Sequence, residues 1–451
     1  MIKNLKYILF CGSISLLVVA CSGKLDVDPT QSINETTALA TEKDVRVTLV
    51  GAYDGMSNAN VYGGAFQFTT ELMGDDREVV FGGTFATIDE IWRKTLTTAN
   101  AQTQATWLDS YVAINRANNV LSALNKVADA GRGKVEGEAR FIRGVIYFGL
   151  VKLWAKAWGD GDNNANPGVP LVLTPTRVVS DKDNAARASV QQVYTQVIDD
   201  LTKAENLLTT GSSGFATKAA AAGMLSRVYL MQQNYTAARD AANRAIGTAG
   251  KALTGSFASA FLDASNESEM IWRIIVTDQD GTNALKTYYA TTANQGRGDV
   301  RVQTKHLALY APDTTADVRW KFFTAQGSNR MTSKYNERFN DVPVMRLAEL
   351  LLTRAECNFR LNQTVGATPL ADVNAIRARA GVPAYTAANL SLAAILRERK
   401  LELAFEGLQL DDVKRNRGSV GTLPWNDNKL VLPIPQREID VNKTLVQNAG
   451  Y

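Results

Sequence analysis

Three acidic residues near the C-terminus are spaced so that they could act together. Glu398, Glu402 and Glu406 are four residues apart, and on a helix they would lie on one face. A row of carboxylates can serve acid–base chemistry, but like charges at this spacing repel by roughly 0.2–0.5 kcal/mol per pair. The row therefore needs bases, and we expect them to be its neighbours along the chain: Arg397, Arg399, Lys400, Lys414, Arg415 and Arg417.

Apolar residues flank this row on both sides. A helix with two apolar stripes and a charged seam between them packs among neighbours instead of lying on a surface. We therefore interpret the row as a structural seam, and a catalytic row of carboxylates is the alternative. The two stripes are Leu392, Ile395, Leu396 and Leu403, and then Leu401, Ala404, Phe405 and Leu408.

Histidine and cysteine are scarce in this chain. His306 is the single histidine, and Cys357 is the one cysteine outside the N-terminal region. With so few histidine and cysteine residues, we expect neither a zinc site nor a serine or cysteine triad, and no internal disulfide can form. Loop carboxylates such as Asp278 and Asp280 offer a calcium site as an alternative. We predict no metal and no cofactor.

The first twenty residues have the layout of a secretory signal. Lys3 and Lys6 precede an apolar run, at residues 7–20, that is too short for a comfortable membrane span. The run ends in VVAC, which resembles a bacterial lipobox with Cys21 as the acylated residue. We predict a lipoprotein signal peptide at 1–20 and lipidation of Cys21, and an ordinary signal peptide is the alternative.

Composition and charge are those of an ordinary folded protein. Hydrophobic residues make up 45% of the chain and charged residues 21%. Removal of residues 1–20 takes away two lysines and leaves 47 bases against 45 acids, so the mature chain is nearly neutral. This balance does not indicate a nucleic-acid partner.

Helical periodicity recurs along most of the remaining chain. We predict a flexible tether at 21–43 and one domain at 44–451, mainly α, with strands at 270–276 and 317–323. Small residues at tetratricopeptide-like intervals in 216–246 predict a scaffold of helical hairpins. Helical spacing begins at 44 and continues in the segments 101–129, 136–154, 191–208, 216–246, 343–361, 369–380 and 391–407.

Two stretches break this periodicity, at about 58–92 and 256–340. They are rich in glycine, asparagine and aromatic residues, which is typical of loops. Aromatic residues on loops either pack their own loop or form a binding surface. Trp320 lies in a strand-like run, so we expect it to pack in a sheet, and Trp107, Tyr111 and Trp154 lie at helical core spacing.

Several stretches, in one order across nearly the whole mature chain, resemble the SusD/RagB family of Bacteroidetes surface lipoproteins. The motifs identify the family well and the ligand poorly. They are Cys21 followed by LDVDPTQS, GEARFIRGVIYFGLVKLW at 137–154, GVPLVL at 168–173, DVR at 317–319, VPVMRLAELLLTRAEC at 342–357, ADVNAIRARAGVP at 371–383, the segment 397–418, and LPIPQREIDVNKTLVQNAGY at 432–451.

The resemblance implies a non-catalytic lipoprotein that captures glycans, or alternatively peptides, on the outer face of the outer membrane. It implies a SusC-like TonB-dependent transporter as partner, with the captured ligand passed on for import. It also implies that the two irregular insertions meet and carry the ligand site. Two features depart from the family pattern: Ser22, Gly23 and Lys24 are not strongly acidic, and the chain is short for the family.

Oligosaccharide capture requires flat aromatic faces with polar groups between them. The two insertions offer such residues, together with Asp75, Asn294, Gln295 and Arg297. The predicted ligand-binding residues are Asp76, Arg77, Phe81, Phe85, Trp92, Tyr288 and Tyr289.

Two other classes of protein remain as alternatives. A glycoside hydrolase needs only two suitably spaced carboxylates, which Asp75 or Asp76 with Glu71 or Asp280 could supply. A pure scaffold would bind a protein partner through its helical hairpins and no small ligand. We predict that the chain is not an enzyme.

Overall fold

The computed structural model describes residues 39–177, 183–311 and 313–451. The predicted signal peptide, Cys21 and most of the predicted tether lie outside these ranges. Within them, no helix is long and apolar enough to span a membrane.

Most of the described chain is helical. The first eight helices are α1 (Glu42–Ser57), α2 (Ala65–Gly74), α3 (Ala86–Arg93), α4 (Ala101–Ser122), α5 (Asp129–Trp154), α6 (Val190–Leu207), α7 (Lys218–Met231) and α8 (Tyr235–Ala249). The others are α9 (Ala284–Tyr289), α10 (Thr304–Leu307), α11 (Leu347–Leu361), α12 (Pro369–Ala380), α13 (Leu392–Leu403), α14 (Gln409–Arg415) and α15 (Gln436–Val441).

The strands in the described ranges are short and form four small antiparallel sheets. One has four strands in the order β1-β5-β7-β6, and the others pair β2 with β3, β4 with β8, and β9 with β10. Their bounds are β1 (Val79–Phe81), β2 (Pro167–Pro170), β3 (Arg187–Ser189), β4 (Met270–Ile274), β5 (Val300–Val302), β6 (Phe323–Gln326), β7 (Asn329–Thr332), β8 (Val342–Arg346), β9 (Ser419–Val420) and β10 (Leu423–Pro424).

Antiparallel helix pairs build the scaffold. α4 packs on α5, α5 on α6, α7 on α8, and α8 on α11. Local chemistry sets the helix starts: Thr41 and Asp44 form a reciprocal capping box at α1, and Thr368 caps α12 just before Pro369. The predicted mainly α scaffold with a few short strands is confirmed.

One close contact of α5 depends on Gly149. A Cβ on Gly149 would lie 2.7 Å from the Phe66 ring, whereas a Cβ on Gly133 of the same helix would be 3.5 Å from its nearest neighbour, Leu207. We expect Gly149→Ala to lower the free energy of unfolding by about 1–3 kcal/mol through overpacking. The matched variant Gly133→Ala should instead stabilise by up to about 1 kcal/mol, because alanine favours the helix. Urea unfolding measures both, and equal effects would contradict this packing.

The structure corrects several predicted boundaries. Residues 65–74 form the buried helix α2 and 86–93 form α3, although the glycines around them predict a loop. Residues 318–321 form a turn, and the strand begins at Phe323. Residues 342–346 are a fully buried strand and not the start of a helix. Helical spacing misassigns such a segment because a buried strand is apolar on both faces.

The acidic row is buried, as its interpretation as a structural seam predicts. Glu398 and Glu402 are fully buried on α13, which ends at Leu403. Glu406 lies beyond this end and is 7% exposed. Glu398 accepts from Arg319 at 2.6 Å and from Arg377 at 2.8 Å.

The bases that pair with the row come from distant segments and not from its neighbours along the chain. Arg397 instead donates to the carbonyls of Leu309 and Ala311, and Lys400 pairs with Glu78. The bases around Glu402 and Glu406 are Arg319 (3.5 Å from Glu402), Arg346 (3.2 Å from Glu402 and 2.7 Å from Glu406), Arg379 (on Glu402) and Lys334 (2.6 Å from Glu406).

Candidate functional site

The two irregular insertions meet in the four-stranded sheet. β1, from the first insertion, pairs with β5 from the second, with Val80 opposite Arg301. β7 then pairs with β5 and forms a hairpin with β6. Beyond β1, the amide of Gly82 donates to the carbonyl of Asp299, so the turn at 82–85 stays close to the chain that leads into β5.

An aromatic cluster joins the insertions next to this sheet. Tyr288 lies at its centre and makes edge-on contacts with three phenylalanines, with ring centroids 5.2 Å from Phe68, 6.4 Å from Phe81 and 6.1 Å from Phe85. Phe68 and Phe81 are buried, whereas Phe85 is 44% exposed. Phe85 is therefore the exposed end of a cluster whose other members hold it in place.

Arg297 completes this exposed surface. Its guanidinium carbon lies 4.6 Å from the centroid of the Phe85 ring, which is the geometry of a cation–π contact. Nε of Arg297 donates to Asp299 Oδ2 at 2.7 Å, and Nη2 donates to Thr84 Oγ1 at 3.0 Å. The exposed ring is thus bordered by a guanidinium and a hydroxyl, two groups that hydrogen-bond readily.

Two of the other predicted ligand-binding residues have different surroundings. Asp76 bridges two segments, because its carboxylate accepts from Lys305 Nζ at 2.6 Å and from the amide of Gly421 at 2.9 Å. Arg77 is exposed and adopts the left-handed backbone region, with φ 59°. In the described part of the chain, neither Asp76 nor Arg77 makes a hydrogen bond or ring contact with the aromatic cluster.

Phe81 and Tyr289 are buried, and Trp92 is half-buried. The Trp92 indole donates to Asp75 Oδ2 at 3.1 Å. Phe81 is 4% exposed and Tyr289 is 1% exposed, so their rings are packed in the interior. Tyr289 and Trp92 therefore take no part in the proposed site, and Phe81 supports it from below. Trp320 lies in a turn and not in a strand, with Arg330 over its ring at 5.6 Å.

The carboxylates considered for hydrolysis are engaged elsewhere. Glu71 is buried and accepts from the amides of Gly407 and Leu408 at 2.7 and 2.9 Å. Asp75 accepts from the amides of Glu78 and Val79. The cavity that Glu71 and Asp75 line measures about 20 Å³, which has room for about one water molecule and not for a sugar.

Asp280, which was considered for a calcium site, is bonded within its own loop. Asp280 accepts from the amide and hydroxyl of Thr277 at 2.8 and 2.7 Å. In the described ranges, no group of three or more His, Cys, Asp or Glu side chains is placed to hold a metal ion.

Glu71 should make the stability of the fold depend on pH. Burial raises the pKa of Glu71 from 4.5 to about 7. The folded chain then binds a proton more tightly than the unfolded chain, so stability falls as pH rises from 4.5 through 7. Glu71→Gln keeps the acceptor for Gly407 and Leu408 but cannot ionise. We expect this variant to be more stable than the wild type at pH 8 by roughly 1–2 kcal/mol.

Thermal unfolding at pH 5 and pH 8 measures this effect. The advantage of Glu71→Gln should shrink or vanish at pH 5, where Glu71 is protonated in the folded chain. If Glu71→Gln were equally destabilised at both pH values, this result would contradict the raised pKa of Glu71.

A second, larger concavity lies away from this surface. It is a groove of about 440 Å³ between α4, the extended chain after β2, and α15. None of its lining residues belongs to β1, β5 or the turn at 82–85. They include Trp107, Leu108, Tyr111, Val112, Pro170, Glu438 and Leu445. Within it the Tyr111 hydroxyl already donates to the carbonyl of Pro170 at 2.9 Å.

Comparison with known proteins defines the family. A family model described as "starch-binding associating with outer membrane" matches residues 25–230, and the SusD family model matches residues 263–430. SusD-like protein P2 of Formosa agariphila is 25% identical over 97% of this chain and 98% of its own length.

Two further similarities agree with these matches. The starch-binding protein SusD of Bacteroides thetaiotaomicron is 26% identical over 35% of this chain and 29% of its own length. The crystal structure of a SusD superfamily protein from Bacteroides vulgatus superposes with a TM-score of 0.81 at 24% identity, over 91% of this chain and 99% of that one. The chain belongs to the SusD/RagB family.

Proposed function

We propose that this chain is a cell-surface lipoprotein that binds an oligosaccharide and passes it to a SusC-like TonB-dependent transporter. The observation that carries the proposal is the half-exposed Phe85 ring, held by Tyr288 and bordered by Arg297 and Thr84. The chain has no catalytic part in this proposal.

The chemistry of sugars fits this surface. A pyranose ring presents an apolar face of C–H groups, which packs well on an aromatic ring, and a rim of hydroxyl groups, which need hydrogen-bond partners. Phe85 supplies the aromatic face, and Arg297 and Thr84 supply polar groups beside it. Because Tyr288, itself packed on the buried Phe68 and Phe81, holds the Phe85 ring, little conformational entropy is lost when a ligand binds.

The family relationship supports a carbohydrate ligand. One matching family model is described as starch-binding, and a relative is named as a starch-binding protein. These names describe other proteins, and this chain is 25–26% identical to the two relatives cited above. They support the class of ligand and leave the particular glycan open.

The surroundings of Phe85 also favour binding without hydrolysis. A glycosidase needs two carboxylates about 5–10 Å apart that flank the scissile bond. Asp299, which lies next to this surface, is 5% exposed and bonded to Arg297. Glu71 and Asp75 line a cavity too small for a sugar.

The proposed location rests on the N-terminal sequence. Lipidation of Cys21 after removal of residues 1–20 would anchor the chain in the outer membrane, facing the exterior. The tether predicted at 21–43 would then lead to α1, which begins at Glu42. The helical scaffold would face the transporter, and the Phe85 surface would hold the ligand until it enters the transporter.

Affinity electrophoresis of the lipid-free chain in gels that contain single polysaccharides tests this function. We expect retention by at least one glycan, with no reducing sugar released over time. Time-dependent sugar release would indicate a hydrolase. If the chain bound no glycan but bound peptides, the peptide alternative would replace the proposal. If it bound neither and only co-purified with the transporter, the scaffold alternative would replace it.

A further inference from the structure

One arginine beside the proposed site lacks a counter-charge. The charge of Arg297 is compensated by Asp299 at 2.7 Å. Arg301, on β5, has no carboxylate oxygen within 4.0 Å among the residues that the structure describes. Within the described ranges, the charge of Arg301 is therefore unpaired, and its guanidinium contacts Gly82 at the start of the turn that carries Phe85.

The position of Arg301 is fixed by the turn that leads to Phe85. Arg301 Nη2 donates to the carbonyl of Gly82 at 3.1 Å. The guanidinium lies flat against this residue, because a Cβ on Gly82 would come within 2.3 Å of Arg301 Cζ. Two residues lie between Gly82 and Phe85, and the three Cα–Cα steps limit the distance between their Cα atoms to about 10 Å.

The guanidinium is also incompletely hydrogen-bonded. Arg301 is half-buried, and its Nε is buried with no hydrogen-bond partner in the described part of the chain. A partly desolvated cation without an acidic partner is unfavourable unless another group supplies the negative charge. A guanidinium binds carboxylate and phosphate oxygens well because its N–H groups form a planar fork, and a sulfate presents a similar set of oxygens.

We propose that the ligand of this site is an anionic glycan, with a carboxylate or sulfate group bound by Arg301 while a sugar ring packs on Phe85. This inference rests on the glycan-binding function proposed above and narrows the class of ligand. The alternative is that Arg301 only braces the turn at Gly82, in which case its charge has no effect on ligand choice.

Matched pairs of polysaccharides separate these two cases. The probes are polygalacturonate and its methyl ester, which differ in the carboxylate charge, and κ-carrageenan and its desulfated form, which differ in the sulfate. The chains are the wild type, Arg301→Gln, Arg301→Lys and the control Arg330→Gln. Arg330 is an exposed arginine on β7 that also lacks an acidic partner within 4.0 Å in the described ranges. Thermal unfolding checks that each variant is folded.

We expect the wild type to bind at least one anionic probe more tightly than its neutral form, and to lose this preference at high ionic strength. Arg301→Gln should weaken that binding by about tenfold, because a charge-assisted hydrogen bond is lost. Arg301→Lys should retain most of the preference, since the charge remains, and Arg330→Gln should behave like the wild type. The pair of probes that is discriminated identifies a carboxylate or a sulfate.

Three results would overturn the inference. Equal binding of charged and neutral probes would leave glycan binding intact but remove the anionic class. Equal losses in Arg301→Gln and Arg301→Lys for both forms of a probe would assign Arg301 a bracing role only. If the wild type bound none of these four probes but was retained by neutral glycans in the wider panel, an anionic ligand would also be excluded. If it bound no glycan at all, the proposed function itself would be overturned.

Discussion

Replacement of Glu402 by glutamine is expected to lower the free energy of unfolding by about 3–5 kcal/mol. Glu402 is fully buried, and Arg346, Arg319 and Arg379 surround its carboxylate. Glutamine keeps the shape of the side chain but removes the charge. Buried guanidinium groups, which have almost no exposure to solvent, would then lose their counter-charge.

Acid should have a related effect on the wild type. The buried setting by itself would raise the pKa of Glu402, but the arginines outweigh it and lower the pKa from 4.5 to about 2. The contribution of Glu402 to stability is therefore present above pH 4.5 and is lost as pH falls toward 2. The variant should lack this part of the acid dependence.

Urea unfolding at neutral and acid pH measures both effects. The control is Asp89→Asn, which removes an exposed pair with Arg93 at 2.7 Å and should cost less than about 0.5 kcal/mol. A Glu402→Gln chain that is as stable as the wild type but has lost glycan binding would contradict the structural interpretation of the acidic row.

The second large effect is expected at Phe85. Replacement by alanine should weaken glycan binding by roughly 30-fold, or about 2 kcal/mol, because it removes the exposed aromatic face on which we expect the sugar to pack. Stability should change little, since Phe85 is 44% exposed. Isothermal titration with the oligosaccharide that the gels identify measures the loss.

Phe215→Ala is a matched control for this effect. Phe215 is also an exposed phenylalanine, 52% accessible, and it packs edge-on against Tyr53 of α1 at 5.4 Å, outside the sheet that joins the insertions. It should leave affinity unchanged. Equal losses in both variants would indicate non-specific adhesion of glycan to exposed aromatic rings.

Helical spacing predicts much of the scaffold because the scaffold helices bury regular stripes. The predicted segment 369–380 coincides with α12, and 101–129 contains α4. The spacing fails at α2, where glycines stand at both ends of a short helix whose residues are all buried. Complete burial is a tertiary property, and no single stripe in the sequence shows it.

The sequence predicts the types of residue in the site better than their positions. Tyr288 and Tyr289 are neighbours of the same type, yet Tyr288 contacts the half-exposed Phe85 while Tyr289 is buried near Tyr335 and Phe405. The orientation of the short helix α9 decides this difference, and six residues are too few for a periodic signal.

Long-range charge pairing is likewise invisible in the sequence. The bases that hold Glu402 lie 23 to 83 positions away along the chain, whereas its sequence neighbours bind elsewhere. The sequence also gives no sign that Arg301 differs from other arginines, because many arginines have acidic residues nearby in the sequence. Only the folded chain shows that Arg297 is paired with Asp299, whereas Arg301 has no acidic partner among the described residues.

The most direct test of glycan binding at the Phe85 surface is a crystal structure of the lipid-free chain with its best-retained oligosaccharide. We predict a sugar ring packed on Phe85 at about 4 Å, with hydroxyl groups near Arg297 and Thr84. Oligosaccharide bound in the groove between α4 and α15, with none at Phe85, would contradict the proposed site.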